Sequence, residues 1–410
     1  MDIDVRPMDP DRLSDYRVAL STAFGEDELN EAWTPVWENV FDRGRLLAAY
    51  DEDLIVGTAG NHSFTMTVPG GELPAAGLTI VGVIPTHRRR GVGRALMRAQ
   101  IEDARRHDES ISILWASEEV IYQRFGYGLG SAQMNIEIER AHTAFQDREP
   151  PGGRVRLLPL EEALKVLPDV YDRVRVTVPG MLARDADWWR FHCLFDPKED
   201  RKGGKLMAAA WEEEGRAEAY ALYRYNEKWD EREGLPRNEV WVMESVATTP
   251  RAVHAIWDYL FGIDLAQKVM GYFLPVDHPL PSMLLEPRRL RMHVSDAIWL
   301  RLVDIQTALV NRAYADAGDL TFTLADDFCD WNSGTWRLTV RPGGHSIDRA
   351  NDAAAELALS ANDLGATYLG ALTFSELARA GRVKQLKPEA VDKADALFRT
   401  DRKPWCPEIF

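Results

Sequence analysis

The stretch from Leu78 to Arg106, LTIVGVIPTHRRRGVGRALMRAQIEDARR, constrains this chain more than any other, because its apolar spacing changes abruptly across a basic, glycine-rich corner. Val81, Val83 and Ile84 are β-branched and lead into Pro85, which cannot donate to a ladder, so a strand is expected to end there. Past the corner, Val92, Ala95, Leu96 and Ala99 recur at helical spacing, with Arg94, Arg98, Glu102 and Arg105 on the other face. A helix that starts at such a corner leaves its first backbone N–H groups unpaired, and together with the positive end of its dipole they suit a phosphate. Gly91 and Gly93 remove the Cβ atoms that would hold a diphosphate off the main chain, and Arg88, Arg89 and Arg90 add charge. The competing reading is a tight strand-to-helix turn with a solvated basic patch. A dinucleotide fingerprint fits less well, because its third glycine is absent.

The pattern Arg88-x-x-Gly91-x-Gly93 after a strand resembles the pyrophosphate loop of the GNAT acyl-CoA N-acyltransferases. Propensity places a strand at Ile3–Arg6, helices at Asp11–Phe24 and Leu29–Phe41, and a hairpin whose arms, Leu46–Tyr50 and Leu54–Thr58, flank Asp51-Glu52-Asp53. A long strand, Gly60–Val68, turns at Pro69-Gly70-Gly71 and pairs back through Leu78–Ile84. This β-α-α-β-β-β order ahead of the phosphate-binding helix is also what the resemblance implies. Ile111–Trp115 reads as a buried strand, Ser117 as a helix N-cap and Gly126 as the stop of that helix. The segment Tyr122-Gln123-Arg124-Phe125-Gly126-Tyr127 is similar to the Y-x-x-x-G-F of GNAT enzymes, whose tyrosine lies near the sulfur of coenzyme A. Packing of Tyr122 between helix and sheet is the plainer alternative.

At 410 residues the chain exceeds one ordinary core, so two or three domains are expected. Pro150-Pro151-Gly152-Gly153 reads as a linker, which puts domains at 1–147, 154–286 and 287–410. The second region repeats the plan of the first. A helix from Leu160 to Val176 with a break at Pro168 and a helix at Ala183–Phe195 precede strands at Lys205–Trp211, Ala217–Tyr225 and Val240–Ala247. Pro250 then opens a helix with Val253, Ile256, Trp257 and Leu260 on one face, yet no glycine lies between Val246 and Phe261. This half reads as a degenerate duplicate without a diphosphate site, against the alternative of an unrelated α+β domain. In the third region Trp299–Tyr314 is amphipathic, Leu320–Leu324 and Trp336–Val340 alternate, Ala366–Leu369 is strand-like, and Leu372–Ala380 and Pro388–Phe398 read as helices. It carries no glycine phosphate loop and no cluster of metal-type ligands, as expected of a packing module or a lipid-type pocket.

Asp plus Glu outnumber Lys plus Arg by 65 to 49, a net charge of -16 that disfavours nucleic acid and acidic membranes and favours a cationic substrate. Cys193, Cys329 and Cys406 are odd in number and far apart, so neither a disulfide framework nor a metal centre is expected. MDIDVRPMD lacks a basic segment followed by an apolar run, and no long apolar stretch occurs; a cytoplasmic protein is the expectation, with no integral membrane segment. The chain finishes Lys403-Pro404-Trp405-Cys406-Pro407-Glu408-Ile409-Phe410, which is apolar where most tails are polar. Docked, it would fix the α-carboxylate of Phe410 within the fold; alternatively it is an anchor that closes the third domain.

Together the loop Pro85 to Gly91, the segment Trp115-Ala116-Ser117-Glu118 through Tyr122, the second GNAT-like half, Asp327-Phe328-Cys329-Asp330-Trp331-Asn332 and the Pro404-Trp405-Cys406 ending resemble the Eis (enhanced intracellular survival) family of aminoglycoside N-acetyltransferases. The resemblance implies an α+β chain of two tandem GNAT-like domains, the second degenerate, followed by a sterol-carrier-like α/β domain. It implies acetyl-CoA as donor, broad acetylation of amines on polycations, and assembly into homohexamers. It also implies that the Phe410 carboxylate draws the proton from the amine and that Tyr122 supplies one to the departing sulfur, by direct attack, in keeping with the lack of a G-x-S-x-G nucleophile. The expected cofactor-binding residues are Val81, Val83, Arg88, Arg89, Arg90, Gly91, Val92, Gly93 and Ser117, with the Val83 N–H polarising the thioester carbonyl. Phe24, Glu26, Asp27, Trp33 and Trp37 on the early helices, with Glu408, are the expected acceptor-site residues. His87 reads as a helix-entry residue. A protein lysine acetyltransferase and a noncatalytic lipid carrier are the competing functions.

Overall fold

A computed structural model describes residues 3–26, 31–147, 149, 151–230 and 232–410. These form two compact units: Met1–Ser131 with Asp296–Pro404 and Glu408–Phe410, and Ala132–Ser295 with Trp405–Pro407. The linker residues Arg148 and Pro150 and the candidate Asp27 lie outside the described residues.

The first unit begins with β1 (Asp4–Pro7), α1 (Leu13–Phe24), α2 (Thr34–Asn39), β2 (Leu46–Asp51), β3 (Leu54–Val68), β4 (Gly71–Val83), α3 (Val92–Arg106), β5 (Ile111–Trp115), α4 (Glu119–Gln123) and β6 (Gly128–Leu129). The second unit follows with β7 (Ala132–Glu139), β8 (Arg154–Leu158), α5 (Leu160–Arg175), α6 (Ala186–Trp188), β9 (Leu206–Glu213), β10 (Arg216–Asn226), β11 (Asn238–Ala247), α7 (Pro250–Phe261), β12 (Ala266–Pro275), α8 (Leu280–Met283) and β13 (Arg291–Asp296). The chain then supplies the rest of the first unit: β14 (Ile298–Leu302), α9 (Ile305–Val310), β15 (Gly318–Ala325), β16 (Gly334–Arg341), β17 (Gly344–Arg349), β18 (Leu357–Ser360), α10 (Ala361–Tyr368), α11 (Phe374–Arg379), β19 (Lys384–Gln385) and α12 (Ala390–Phe398).

The main sheet of the first unit runs β1-β2-β3-β4-β5-β14-β6. Its one parallel pair is β4 with β5, joined through α3 as such a crossover requires. The apolar face of α3, including Leu96, Met97, Ile101 and Ala104, is buried on one side of the sheet, and Tyr16, Ala19 and Leu20 of α1 with Trp37 of α2 are buried on the other. A buried ion cluster ties the start of β2 to the end of α3. Arg45, 2% exposed, meets Asp103 at 2.6 Å and Glu109 at 2.5 Å, while Asn61 donates to Asp103 at 3.0 Å. A second sheet, β17-β16-β15-β18-β19, carries α9 to α12. In its core the fully buried Arg312 donates to the carbonyls of Tyr368 and Phe398, the last residues of α10 and α12, at 2.8 and 2.6 Å. A cation is favoured at helix C-termini, and burial lowers this guanidinium's pKa to about 10.

The second unit has the sheet β13-β7-β12-β11-β10-β9-β8, with its own parallel pair, β11 and β12. Ile256, Trp257 and Leu260 of α7 fill the core on one face and Leu167, Val170 and Tyr171 of α5 the core on the other. Trp405 belongs to the α5-side core: its N–H donates to the Pro179 carbonyl at 2.9 Å and its indole N–H to the Phe273 carbonyl at 2.5 Å.

Several expected elements take other forms. The Leu29–Phe41 helix is represented by a 3-10 turn, Glu31–Trp33, and the short α2, since Pro35 suits only a first turn. In place of a helix over Ala183–Phe195 there are the short α6 and a π turn, Trp189–Cys193. α5 runs through Pro168 unbroken, because its buried face outweighs one lost hydrogen bond. Trp299–Tyr314, read as one amphipathic stretch, holds β14 and α9: Ile298–Leu302 is buried throughout, Arg301 included, and so short a stretch buried on both faces carries no period of its own. Ala366–Leu369 lies at the end of α10, which a capping box of Ser360 and Asp363 nucleates. Ala132–Glu139, counted with the first region in the sequence, pairs with β12 in the second unit's sheet, and β14 lies between β5 and β6 in the first.

Candidate active site

β4 is wider than its parallel neighbour. It pairs with β5 from Ala75 opposite Ile111 to Leu78 opposite Leu114, and continues along β3 alone to Val83. The divergence coincides with a bulge between Thr58 and Gly60, where Ile80 has φ 48, a left-handed conformation a β-branched residue rarely adopts. Val81 and Val83, both half-buried, therefore lie on the segment of β4 that has left β5. The corner that follows starts α3 at Gly91, whose φ is +89, with no side-chain cap. The first intrahelical bond runs from Ala95 N–H to Gly91 O at 3.0 Å, so Val92, Gly93 and Arg94 have no acceptor within the helix. A Cβ on Gly91 would meet nothing within 4 Å, and on Gly93 only Val83 Cγ2 at 3.9 Å. No neighbour in the protein requires glycine at 93. The bare surface fits a diphosphate lying against the main chain.

The three arginines do different things. Arg88 donates to the Ala23 carbonyl at 2.6 Å and the Val83 carbonyl at 3.1 Å, bracing the last turn of α1 against the end of β4. Arg89, at φ 61, and Arg90 are exposed on the loop. His87 is buried beside Asp51 at 3.1 Å and Thr86 at 2.9 Å, in a structural role at the corner.

Tyr122 is 7% exposed among Leu78, Met97, Leu114 and Tyr127, on the α3 side. Ser117 does not cap α4. The capping position is Glu118, without a side-chain bond, and Ser117 lies beside the Tyr122 phenol. Burial raises the phenol's pKa and the neighbouring Ser117 offsets part of that, so Tyr122 is neutral across the physiological range. Gly126, at φ +83, ends the turn as expected.

On the other face of the sheet an aromatic file leads to the chain terminus. Trp37 stacks on Phe41 at 4.4 Å, Phe41 lies 4.9 Å from His62, His62 5.4 Å from Phe64, and Phe64 4.9 Å from Phe410 in an edge-to-face contact. His62 and Phe64 share a face because strand side chains alternate. The Phe64 ring occupies the space beside Gly77 of β4, where a Cβ would come to 2.2 Å from it. The Trp115 indole N–H donates to the Glu408 carbonyl, and Glu408 is 2% exposed. The half-buried Phe410 and the buried Glu408 are thus seated within the first unit. Of the expected acceptor residues only Trp37 belongs to this file. Phe24 and Trp33 are 47% and 38% exposed, and Glu26 is exposed. His62, Phe41 and Phe64 were missed by sequence reading; their one signal is the i, i+2 placement of His62 and Phe64 within a long strand.

Residues 4–130 and 180–302 match acetyltransferase (GNAT) domain families, and residues 305–407 match the sterol carrier protein domain. Along its whole length the chain is 37% identical to an N-acetyltransferase of Streptomyces avermitilis, with 100% of each covered. It is 33% identical to the N-acetyltransferase Eis of Mycobacterium tuberculosis over 85% of this chain and 84% of that one. The chain belongs to the Eis family of N-acetyltransferases. Eis1 from Mycobacterium abscessus superposes over 100% of both chains with a TM-score of 0.86 at 28% identity. A GCN5-related N-acetyltransferase from Anabaena variabilis, at 19% identity, shares the fold with a TM-score of 0.85. As an Eis-family enzyme it catalyses acetyl transfer, and the GNAT fold implies acetyl-CoA as donor. Among the described residues no helix is long and apolar enough to cross a membrane, and no group of side chains is arranged to hold a metal.

The two GNAT halves differ at the start of their crossover helices. In α7 the Thr249 hydroxyl accepts the Ala252 N–H at 3.1 Å, Pro250 has no N–H, and Arg251 is paired with Glu213 at 2.9 Å. Of the three N–H groups that α3 leaves open, the first has no counterpart in α7, the third is satisfied by Thr249, and the side chain of the residue between them is held by Glu213.

Proposed function

We propose that this enzyme acetylates amines of small polycations of the aminoglycoside class by direct attack on the thioester of acetyl-CoA. The observation that carries the reading is the seating of Phe410 on Phe64 and His62, at the end of an aromatic file on the face of the sheet opposite Tyr122. The first unit thereby supplies a carboxylate to receive the ammonium proton and a neutral phenol to protonate the departing thiolate. An ordinary α-carboxyl has a pKa of about 3.5, so electrostatic attraction of the ammonium is a large part of what the terminus contributes. Acetyl-CoA supplies the activated acyl group. The main-chain N–H groups of Val92, Gly93 and Arg94, with Arg89 and Arg90, hold its diphosphate, and the separated edge of β4 at Val81 and Val83 orients its thioester. The half-buried rings of this file, Phe41 and Phe410, offer π faces to a polycation in a chain whose net charge of -16 attracts one. The second GNAT half has no cofactor site in this reading. A homohexamer in the cytoplasm is the assembly and compartment that the family resemblance implies for it. The test is acetylation of kanamycin, spermidine and a lysine-bearing peptide with acetyl-CoA, followed by mass spectrometry. Acetylated aminoglycoside is the expected product; turnover of the peptide alone overturns the substrate assignment.

A further inference from the structure

The sterol-carrier-like region of the first unit touches both halves of the candidate site through one loop. Asp326 shapes this loop by accepting the N–H groups of Phe328 and Cys329 at 3.2 and 2.9 Å, while pairing with the fully buried Arg301 of β14 at 2.6 Å. Asn332 donates to the Leu302 carbonyl at 3.2 Å and Trp331 to the Val303 carbonyl at 2.9 Å, so the loop is fastened at both ends. From this base the Phe328 ring, 2% exposed, reaches two elements. It lies 4.3 Å from the Arg98 guanidinium and 5.2 Å from that of Arg94, both on α3, and meets the Phe125 ring edge-to-face at 4.9 Å. Trp331 extends the stack, 4.5 Å from Arg105 of α3.

Phe125 follows directly on the helix that carries Tyr122, and its N–H donates to the Tyr122 carbonyl at 2.9 Å. That helix, Glu119–Gln123, is a single turn, too short to hold itself in water. Its place is set by its neighbours: Arg301 donates to the Phe125 carbonyl, Asn362 to the Gln123 carbonyl at 2.6 Å and the Tyr127 carbonyl at 2.9 Å, and Phe328 packs on the Phe125 ring. The helix bearing the open N–H groups and the turn bearing the phenol are therefore both packed on Phe328.

We infer that Phe328 is a positioning residue for acetyl transfer, holding the Tyr122 turn in register with α3, and that the sterol-carrier-like region serves this enzyme as a splint for its acetyl-transfer site. The inference rests on the proposed role of Tyr122. A reacting group displaced by about 1 Å loses up to about a hundredfold in rate, so a packing residue one layer away can govern turnover.

The experiment compares Phe328→Ala, Phe328→Tyr, Tyr122→Phe and the Phe328→Ala/Tyr122→Phe double variant, measuring kcat and the acetyl-CoA KM with kanamycin and normalising to folded protein by near-ultraviolet dichroism. Expected is a kcat about 10-fold or more lower for Phe328→Ala, with the ring-retaining Phe328→Tyr close to the parent. The loss should vanish in the Tyr122→Phe background, because a residue that acts by placing the phenol has nothing left to place. A purely structural role would lower the melting temperature and the folded fraction but leave kcat per folded molecule unchanged, and that result overturns the inference. So does an equal loss in both backgrounds. If Tyr122→Phe alone keeps the full rate, the Tyr122 assignment itself fails, visibly and apart from any Phe328 variant, and the inference falls with it.

Discussion

The terminal residue can be divided into its ring and its carboxylate by three variants. Phe410→Ala keeps the carboxylate and removes the ring; an added glycine after Phe410 keeps the ring and moves the carboxylate; deletion of Phe410 does both, leaving a terminus at Ile409, whose side chain is 46% exposed. The ring's contribution follows from its surroundings. Its edge-to-face contact with Phe64 at 4.9 Å contributes about 0.5–1.5 kcal/mol. Burying about half of a phenylalanine side chain adds roughly 1 kcal/mol. The sum, about 1.5–2.5 kcal/mol, corresponds to a ceiling of roughly 10- to 70-fold in the population of seated tail, reached if seating is marginal. The added glycine displaces the carboxylate by up to about 3.5 Å, beyond hydrogen-bond reach of a bound ammonium, and forfeits the roughly hundredfold or more that a placed base provides. The assay is release of the coenzyme A thiol with kanamycin as acceptor, alongside calorimetry with acetyl-CoA, whose affinity should be unchanged in all three. Phe410→Ala should lose about an order of magnitude in kcat/KM, and the extended chain considerably more. An extended chain with parental turnover refutes the carboxylate's role outright.

Three further outcomes are expected. Gly93→Ala should lower acetyl-CoA affinity by about tenfold or more in calorimetry without loss of thermal stability, because its Cβ meets no protein atom nearer than 3.9 Å while alanine is the better helix former by up to ~1 kcal/mol. Arg45→Met should leave Asp103 and Glu109 buried without their partner, at a cost of about 3–5 kcal/mol, read in thermal denaturation as a fall of roughly 6–20 °C. The pH dependence of kcat should keep its high-pH limb above the ordinary tyrosine range near ~10, since burial raises the Tyr122 pKa and the protonated phenol is the active form, lost only as pH rises through that raised value. Tyr122→Phe should lower kcat and abolish that limb, as a pH–rate profile in buffers spanning the alkaline range will reveal.

The two ends of the reaction were unequally legible in the sequence, and the reason is physical. The proposed diphosphate site, made of main-chain donors at the start of a helix, is local, so Arg88 to Gly93 and the change of period around them suggest it before any fold is known. What the sequence did not disclose is context. Arg88 reads as a phosphate ligand, yet its guanidinium braces α1, because the carbonyls of Ala23 and Val83 are brought to it only by the sheet. The bulge at Ile80 sets a β-branched residue at positive φ, against its own preference, where the ladder skips it and the Thr58 hydroxyl of β3 donates to its carbonyl at 2.9 Å. Ile298–Leu302, apolar but for the buried Arg301, carries no period, and its assignment to a strand between β5 and β6 is decided by partners remote in sequence. The proposed acceptor side belongs wholly to this class, assembled from α2, the alternation of β3 and Phe410. Alternation says that His62 and Phe64 share a face but not which face, and the absence of a side chain at Gly77 leaves room for the Phe64 ring where Phe410 meets it. The main-chain donors of the proposed cofactor loop therefore depend on local sequence, whereas the proposed acceptor wall is sensitive to any change that shifts β3 against β4.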